Sequence, residues 1–67
     1  MSEERKNYIT LQQFLKKEGI ASTGGQAKIM IQNAEILVNG ETEVRRGRKL
    51  YSGDRVEAYG KTYLVTE

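Results

Sequence analysis

Apolar residues recur along this chain with two different periods. Leu11, Phe14 and Leu15 stand at i, i+3 and i+4, while Gln12, Lys16 and Lys17 occupy polar positions pointing away. That spacing predicts a short helix with one buried face. Thr10 precedes the run and Gln13 follows three residues later, the pairing of a capping box. Gly19 is placed to end the helix in a left-handed conformation. A second stripe, Ala27, Met30, Ile31 and Ala34, follows Ser22-Thr23-Gly24-Gly25-Gln26, where Ser22 or Thr23 can cap the new helix. Only Gly19-Ile20-Ala21 links the two helices, so they must form a tight corner.

From residue 35 onward the reading changes from helix to strand. Glu35–Val38 is a strand, Asn39-Gly40 is a strong two-residue hairpin signal, and Glu41–Val44 is the return strand. Ser52-Gly53-Asp54 reads as a turn. Over Arg55–Tyr59, Val56 and Ala58 alternate with Arg55, Glu57 and Tyr59. Gly60-Lys61 turns the chain again, Thr62–Val65 is the last strand, and Tyr8–Ile9 is a short edge strand. Residues 1–7 are polar and expected to be a flexible lead-in, leaving residues 8–67 as a single domain. The architecture predicted is α+β, with two short N-terminal helices packed on a small, mostly antiparallel β-sheet.

Composition narrows the chemistry. A chain of 67 residues has room for one small domain, and its core gives only a few kcal/mol of net stability. It has no cysteine and no histidine, which excludes disulfides, the usual zinc sites, and nucleophile systems built on His or Cys. Glu41 and Glu43 share one face of a strand, but two carboxylates without a third partner are weak grounds for catalysis. They are expected to form an exposed strand face paired with nearby arginines. No enzyme activity, cofactor, metal or small-molecule substrate is expected. The N-terminus has no apolar signal region and no stretch approaches membrane-spanning length, so a soluble cytoplasmic domain is expected.

Charge is where the sequence becomes specific. Residues 1–44 carry five Lys/Arg against six Asp/Glu, whereas residues 45–67 carry six against three. Four of those six fall in Arg45, Arg46, Arg48 and Lys49, within the stretch VRRGRKL. Val44 and Leu50 are expected to face the core and hold this loop at both ends, with Gly47 letting the arginines converge. Guanidinium forks suit phosphate, and four like charges so close add nothing evident to folding. The competing reading is an ordinary solvated loop. Gly24-Gly25 opening a helix can admit an anion to backbone N–H groups, with Lys28 one turn in. The same glycines could simply make the helix corner. Lys16, Lys17 and Tyr51 are secondary candidates, Tyr51 as a stacking surface. Phe14 belongs to the core and Asn39 to its turn.

In order along the chain come Leu11-x-x-Phe14-Leu15, Ser22 to Lys28, Ile31-Gln-Asn-Ala-Glu-Ile-Leu-Val-Asn-Gly40 and Tyr51-Ser-Gly-Asp-Arg-Val56. Together they resemble the S-four RNA-binding domain, or alpha-L motif, over about Ile9 to Val65. Gly24 to Lys28 and Glu43 to Leu50 resemble more narrowly the short stand-alone bacterial YbcJ/YaaA type. The resemblance implies a module that binds structured RNA such as ribosomal RNA, on a ribosomal subunit or an assembly intermediate. The binding face expected from the residues joins Ser22, Thr23, Gly24, Gly25 and Lys28 to Arg45, Arg46, Arg48 and Lys49. Two positions depart from the family pattern. Thr10-Leu11-Gln12 stands where an arginine is common, and Ala34 replaces a glycine before the first hairpin strand. If positive φ is needed there, Asn33 is expected to take it. The alternative function is a protein–protein adaptor docking its basic loop on an acidic partner.

Overall fold

The computed structural model describes residues 7–66, so the lead-in expected over residues 1–7 lies, apart from Asn7, outside the described residues. Strand β1 (Ile9–Thr10) runs directly into helix α1 (Leu11–Lys17), and helix α2 (Gly24–Gln32) follows after a short corner. Five strands come next: β2 (Ile36–Val38), β3 (Glu41–Thr42), β4 (Lys49–Leu50), β5 (Arg55–Ala58) and β6 (Lys61–Leu64). They form two sheets. A four-stranded sheet has the order β3-β2-β5-β6, while β1 and β4 form a separate two-stranded ladder. Every pairing is antiparallel, so the α+β architecture holds, with the strands divided between two sheets.

The helix ends follow from side-chain chemistry. Thr10 Oγ1 accepts the Gln13 amide at 3.2 Å while Gln13 Oε1 accepts the Thr10 amide at 3.0 Å, completing the expected capping box. Gly19, at φ +75°, ends the turn after α1. Thr23, not Ser22, caps α2: its hydroxyl accepts the Gln26 amide at 3.0 Å, and Gln26 Oε1 accepts the Ser22 amide at 2.6 Å.

Leu11, Phe14 and Leu15 from α1 and Ala27, Met30 and Ile31 from α2 meet Ile36, Val38, Val56 and Ala58 of the large sheet. Leu50 of β4 and Val65 close the core. Three expectations fail here. Ala34 is exposed beyond the end of α2, because the helix stops at Gln32. It, and not Asn33, takes the positive φ of 60°, since the chain must reverse there to enter β2. Val44 is exposed, because β3 ends at Thr42 and the side chain that turns inward is Glu43.

The turns set the register. Asn39 (φ 52°) and Gly40 (φ 89°) make the two-residue hairpin between β2 and β3. The corresponding turn between β5 and β6 is Tyr59-Gly60, one residue earlier than Gly60-Lys61, with φ of 53° and 80°. Asn39 also ties two turns together. Its Oδ1 accepts the Arg55 amide at 2.9 Å, and its side-chain amide donates to Asp54 at 3.2 Å. Asp54 in turn accepts the Tyr51 amide at 2.8 Å. Both Asn39 and Asp54 are therefore accounted for by folding.

Candidate nucleic-acid interface

The basic loop is organised around one acid. The Glu43 amide donates to the Ile36 carbonyl at 2.9 Å, extending the hairpin by one pair and drawing the Glu43 side chain inward until it is only 6% exposed. Its carboxylate collects the arginines. Oε2 accepts the Arg45 amide at 3.0 Å and Arg45 Nε at 2.9 Å. Oε1 accepts Arg45 Nη2 at 3.2 Å and Arg48 Nη1 at 2.7 Å. Hydrogen bonding from Arg45, joined by Arg48, outweighs burial and holds the Glu43 carboxyl at about 2. The expected exposed acidic face is thus corrected: Glu43 is buried, although its pairing with arginines is as expected.

The loop is also docked on the start of α1. The first amides of a helix lack intrahelical partners. Here the Leu11 amide donates to the Arg48 carbonyl at 2.8 Å and the Gln12 amide to the Arg46 carbonyl at 3.1 Å. A turn closed from the Arg48 amide to the Arg45 carbonyl at 3.2 Å carries Arg46 and Gly47 outward. Arg45 stays exposed over 73% of its side chain, and Arg48 over 31%, despite their shared partner. The Arg46 side chain has no hydrogen bond or ion pair among the described residues and points to solvent.

Gln12 connects this loop to the second candidate element. Its backbone binds Arg46, and its side-chain Nε2 donates to the Gly24 carbonyl at 2.9 Å. The approach is close enough that a Cβ at Gly24 would lie 2.8 Å from that nitrogen. A Cβ at Gly24 would push aside only the flexible end of Gln12, so glycine here serves the Gln12 contact and not the backbone of the helix corner. At Gly25 an added Cβ would meet only the Thr23 hydroxyl, at 3.9 Å, so packing does not demand glycine there. The amides of Gly24 and Gly25 have no hydrogen-bond partner among the described residues. Lys28 lies one turn further along α2 and is exposed, while Lys16 lies one turn beyond Gln12 on α1 and is exposed as well.

The remaining candidates divide. The Ser22 amide and the Thr23 hydroxyl are engaged in capping α2. Lys49 does not join the Glu43 cluster: its ammonium lies 5.0 Å from the centroid of the Tyr8 ring. Tyr51 is half-buried, with its ring centroid 6.2 Å from that of Tyr8. Lys17 lines a cleft with Tyr8 and Leu50. Gln12 thus bridges the backbone of the 45–49 loop to Gly24 at the start of α2, with Lys16 and Lys28 one turn along their helices. Neither Gln12 nor Glu43 is among the candidates for this site named from the sequence. An acid two and five positions before two arginines is a readable signal for Glu43; nothing in the sequence marks Gln12.

A family model described as the S4 domain matches residues 3–66. The chain belongs to the S4 domain family. A probable ribosome maturation protein, RlbA, of Bacillus subtilis (strain 168) is 54% identical to this S4 domain over 52 residues, covering 78% of this chain and 73% of its own. YbcJ of Escherichia coli (strain K12), a candidate RNA-binding protein by its name, is 34% identical over 58 residues, covering 87% and 83%. Among solved structures, the 30S ribosomal protein S4e of Thermoplasma acidophilum superposes with a TM-score of 0.66 at 18% identity. That match covers 94% of this S4 domain but 32% of the ribosomal protein, so the chain spans about a third of its length and the likeness concerns the fold. Among the described residues, no helix is long and apolar enough to cross a membrane.

Proposed function

We propose that this S4 domain is a non-catalytic RNA-binding protein of the cytoplasm that grips structured RNA, ribosomal RNA in particular, during ribosome assembly. The observation that carries this reading is Gln12, bonded at once to the basic loop and to the start of α2. A single backbone of phosphates can then meet the guanidinium groups of Arg45, Arg46 and Arg48, the open amides of Gly24 and Gly25, and Lys28. Such contacts read shape and phosphate, with no code for bases, as suits double-stranded RNA. Membership of the S4 family and the names of its relatives RlbA and YbcJ support the same partner.

The test must spare the fold. Reversing Arg45 or Arg48 would set a new carboxylate against buried Glu43 and confuse binding with unfolding. Arg46→Glu combined with Lys28→Glu changes only side chains without a partner among the described residues. This variant is expected to keep its circular dichroism spectrum and lose at least tenfold in affinity for ribosomal RNA fragments in a gel-shift assay. Unchanged affinity would overturn the assignment. Pull-down before and after nuclease treatment checks the adaptor alternative, since a partner retained without RNA would be a protein held by the basic loop.

A further inference from the structure

A second surface lies on the other side of the basic loop and plays no part in the phosphate grip. Ile9, Leu50 and Val65 floor a cleft of about 350 Å³, with Tyr8, Lys17 and Ser52 around it. Ligand sites begin at roughly 300 Å³, so this one has room for a single nucleotide and none for a duplex. Tyr8 is 49% exposed, a large aromatic residue left out of the core. Its orientation is supported from two directions, by the Lys49 ammonium at 5.0 Å and by the tilted Tyr51 ring at 6.2 Å. Lys49 is the last cation of the basic loop and belongs to β4, whose next residue, Leu50, floors the cleft. The cleft is thus continuous with the loop through one strand.

We infer that this cleft binds one unpaired nucleotide of the RNA, its base stacked on Tyr8 over the apolar floor and its phosphate facing Lys17 and Lys49. The charge is complementary. Among the described residues no acidic side chain lines the cleft, whereas Lys17 does and Lys49 stands at Tyr8. An apolar floor beside an aromatic ring fits a base, which offers a π-face whatever its identity, and Ser52 can meet its polar edge. The inference rests on the RNA-binding reading and narrows it: the preferred substrate is a helical segment with an unpaired nucleotide beside it.

The test compares an RNA hairpin with a blunt stem and the same hairpin with a short single-stranded overhang. The wild-type chain is expected to bind the overhang form about tenfold more tightly, within the range of one base–aromatic stack. Tyr8→Ala should erase that difference while leaving blunt-stem affinity intact, and Tyr8→Phe should preserve it. Equal affinity for the two RNAs in the wild type, or equal losses for both in Tyr8→Ala, would overturn the inference and leave the phosphate grip standing. Binding of neither RNA would remove both. Adenosine 5′-monophosphate, titrated into the full chain and followed by amide chemical shifts, reads the cleft directly. Movement of Ile9, Leu50 and Val65 is expected, and shifts confined to residues 24–28 and 45–49 would count against the cleft.

Discussion

Glu43→Gln isolates the electrostatic centre of the loop with almost no change in volume. Glutamine keeps one acceptor oxygen but turns two N–H groups toward guanidinium forks that offer only donors. A carboxyl held at about 2 instead of 4.5 has a ceiling of about 3 kcal/mol of stabilisation. Water reaches most of Arg45, which is 73% exposed, and screening lowers the figure. A loss of about 2 kcal/mol is therefore expected at pH 7, equivalent to roughly 8–15 °C in a domain of this size. The sign of the pH dependence follows from the direction of the shift. Because the folded-state pKa is depressed, the contribution is complete above the unfolded value of 4.5 and is lost as pH falls through about 2. Thermal unfolding of wild type and variant, followed by circular dichroism from pH 7 to pH 2, measures this as a gap between two melting curves. Other carboxylates titrate in both proteins and cancel in the difference. A gap that stays constant down to pH 2 would refute the argument, as would one below about 0.5 kcal/mol at pH 7.

Three other expectations follow from the same structure. Gly24→Ala should alter stability by less than about 1 kcal/mol, since better helix propensity offsets the lost Gln12 bond; it should still weaken RNA binding several-fold by gel shift, because the loop and α2 are uncoupled. Ala34→Gly should stabilise the domain by about 0.5–1 kcal/mol in urea titration, as the φ of 60° costs alanine more than glycine. The salt dependence of RNA binding should reflect a net of three cations, Arg45, Arg46, Arg48 and Lys28 less Glu43, with a log–log slope between about −2 and −3; a flat dependence would contradict a phosphate grip.

Much of this fold could be read from local chemistry. The capping box at Thr10, the Asn39-Gly40 hairpin and the Val56/Ala58 alternation each involve residues within a few positions of one another, where spacing alone dictates geometry. The failures share a different cause. Val44 was expected inward to hold one end of the loop, yet Glu43 turns in, because hydrogen bonds from Arg45 and Arg48 offset the cost of burying its carboxylate. Ala34 was expected to avoid positive φ, but entry into β2 fixes its backbone whatever the side chain. Gln12 shows the limit most clearly. A polar residue at the start of a helix is compatible with solvent, a cap or a bridge, and only the packing of α1 against α2 and the loop selects the last.

An acid at the centre of a loop proposed to bind phosphate looks self-defeating, and magnitudes decide whether it is. Glu43 repels a phosphate held about 6 Å away by roughly 0.7 kcal/mol in water, rising to about 3 kcal/mol at the effective dielectric near a protein surface. Without it, three arginines in four positions repel one another and sample many rotamers. Ordering each on contact with RNA then costs up to about 2 kcal/mol of side-chain entropy. Glu43 settles part of that cost for Arg45 and Arg48 during folding, and leaves both forks with donors facing outward. Arg46, which it does not touch, keeps its full charge. The loop therefore gives up one unit of long-range attraction and gains two pre-aimed guanidinium groups. Up to about 4 kcal/mol of ordering cost across the two arginines is comparable with the repulsion, and recognition by shape and phosphate position depends on that ordering.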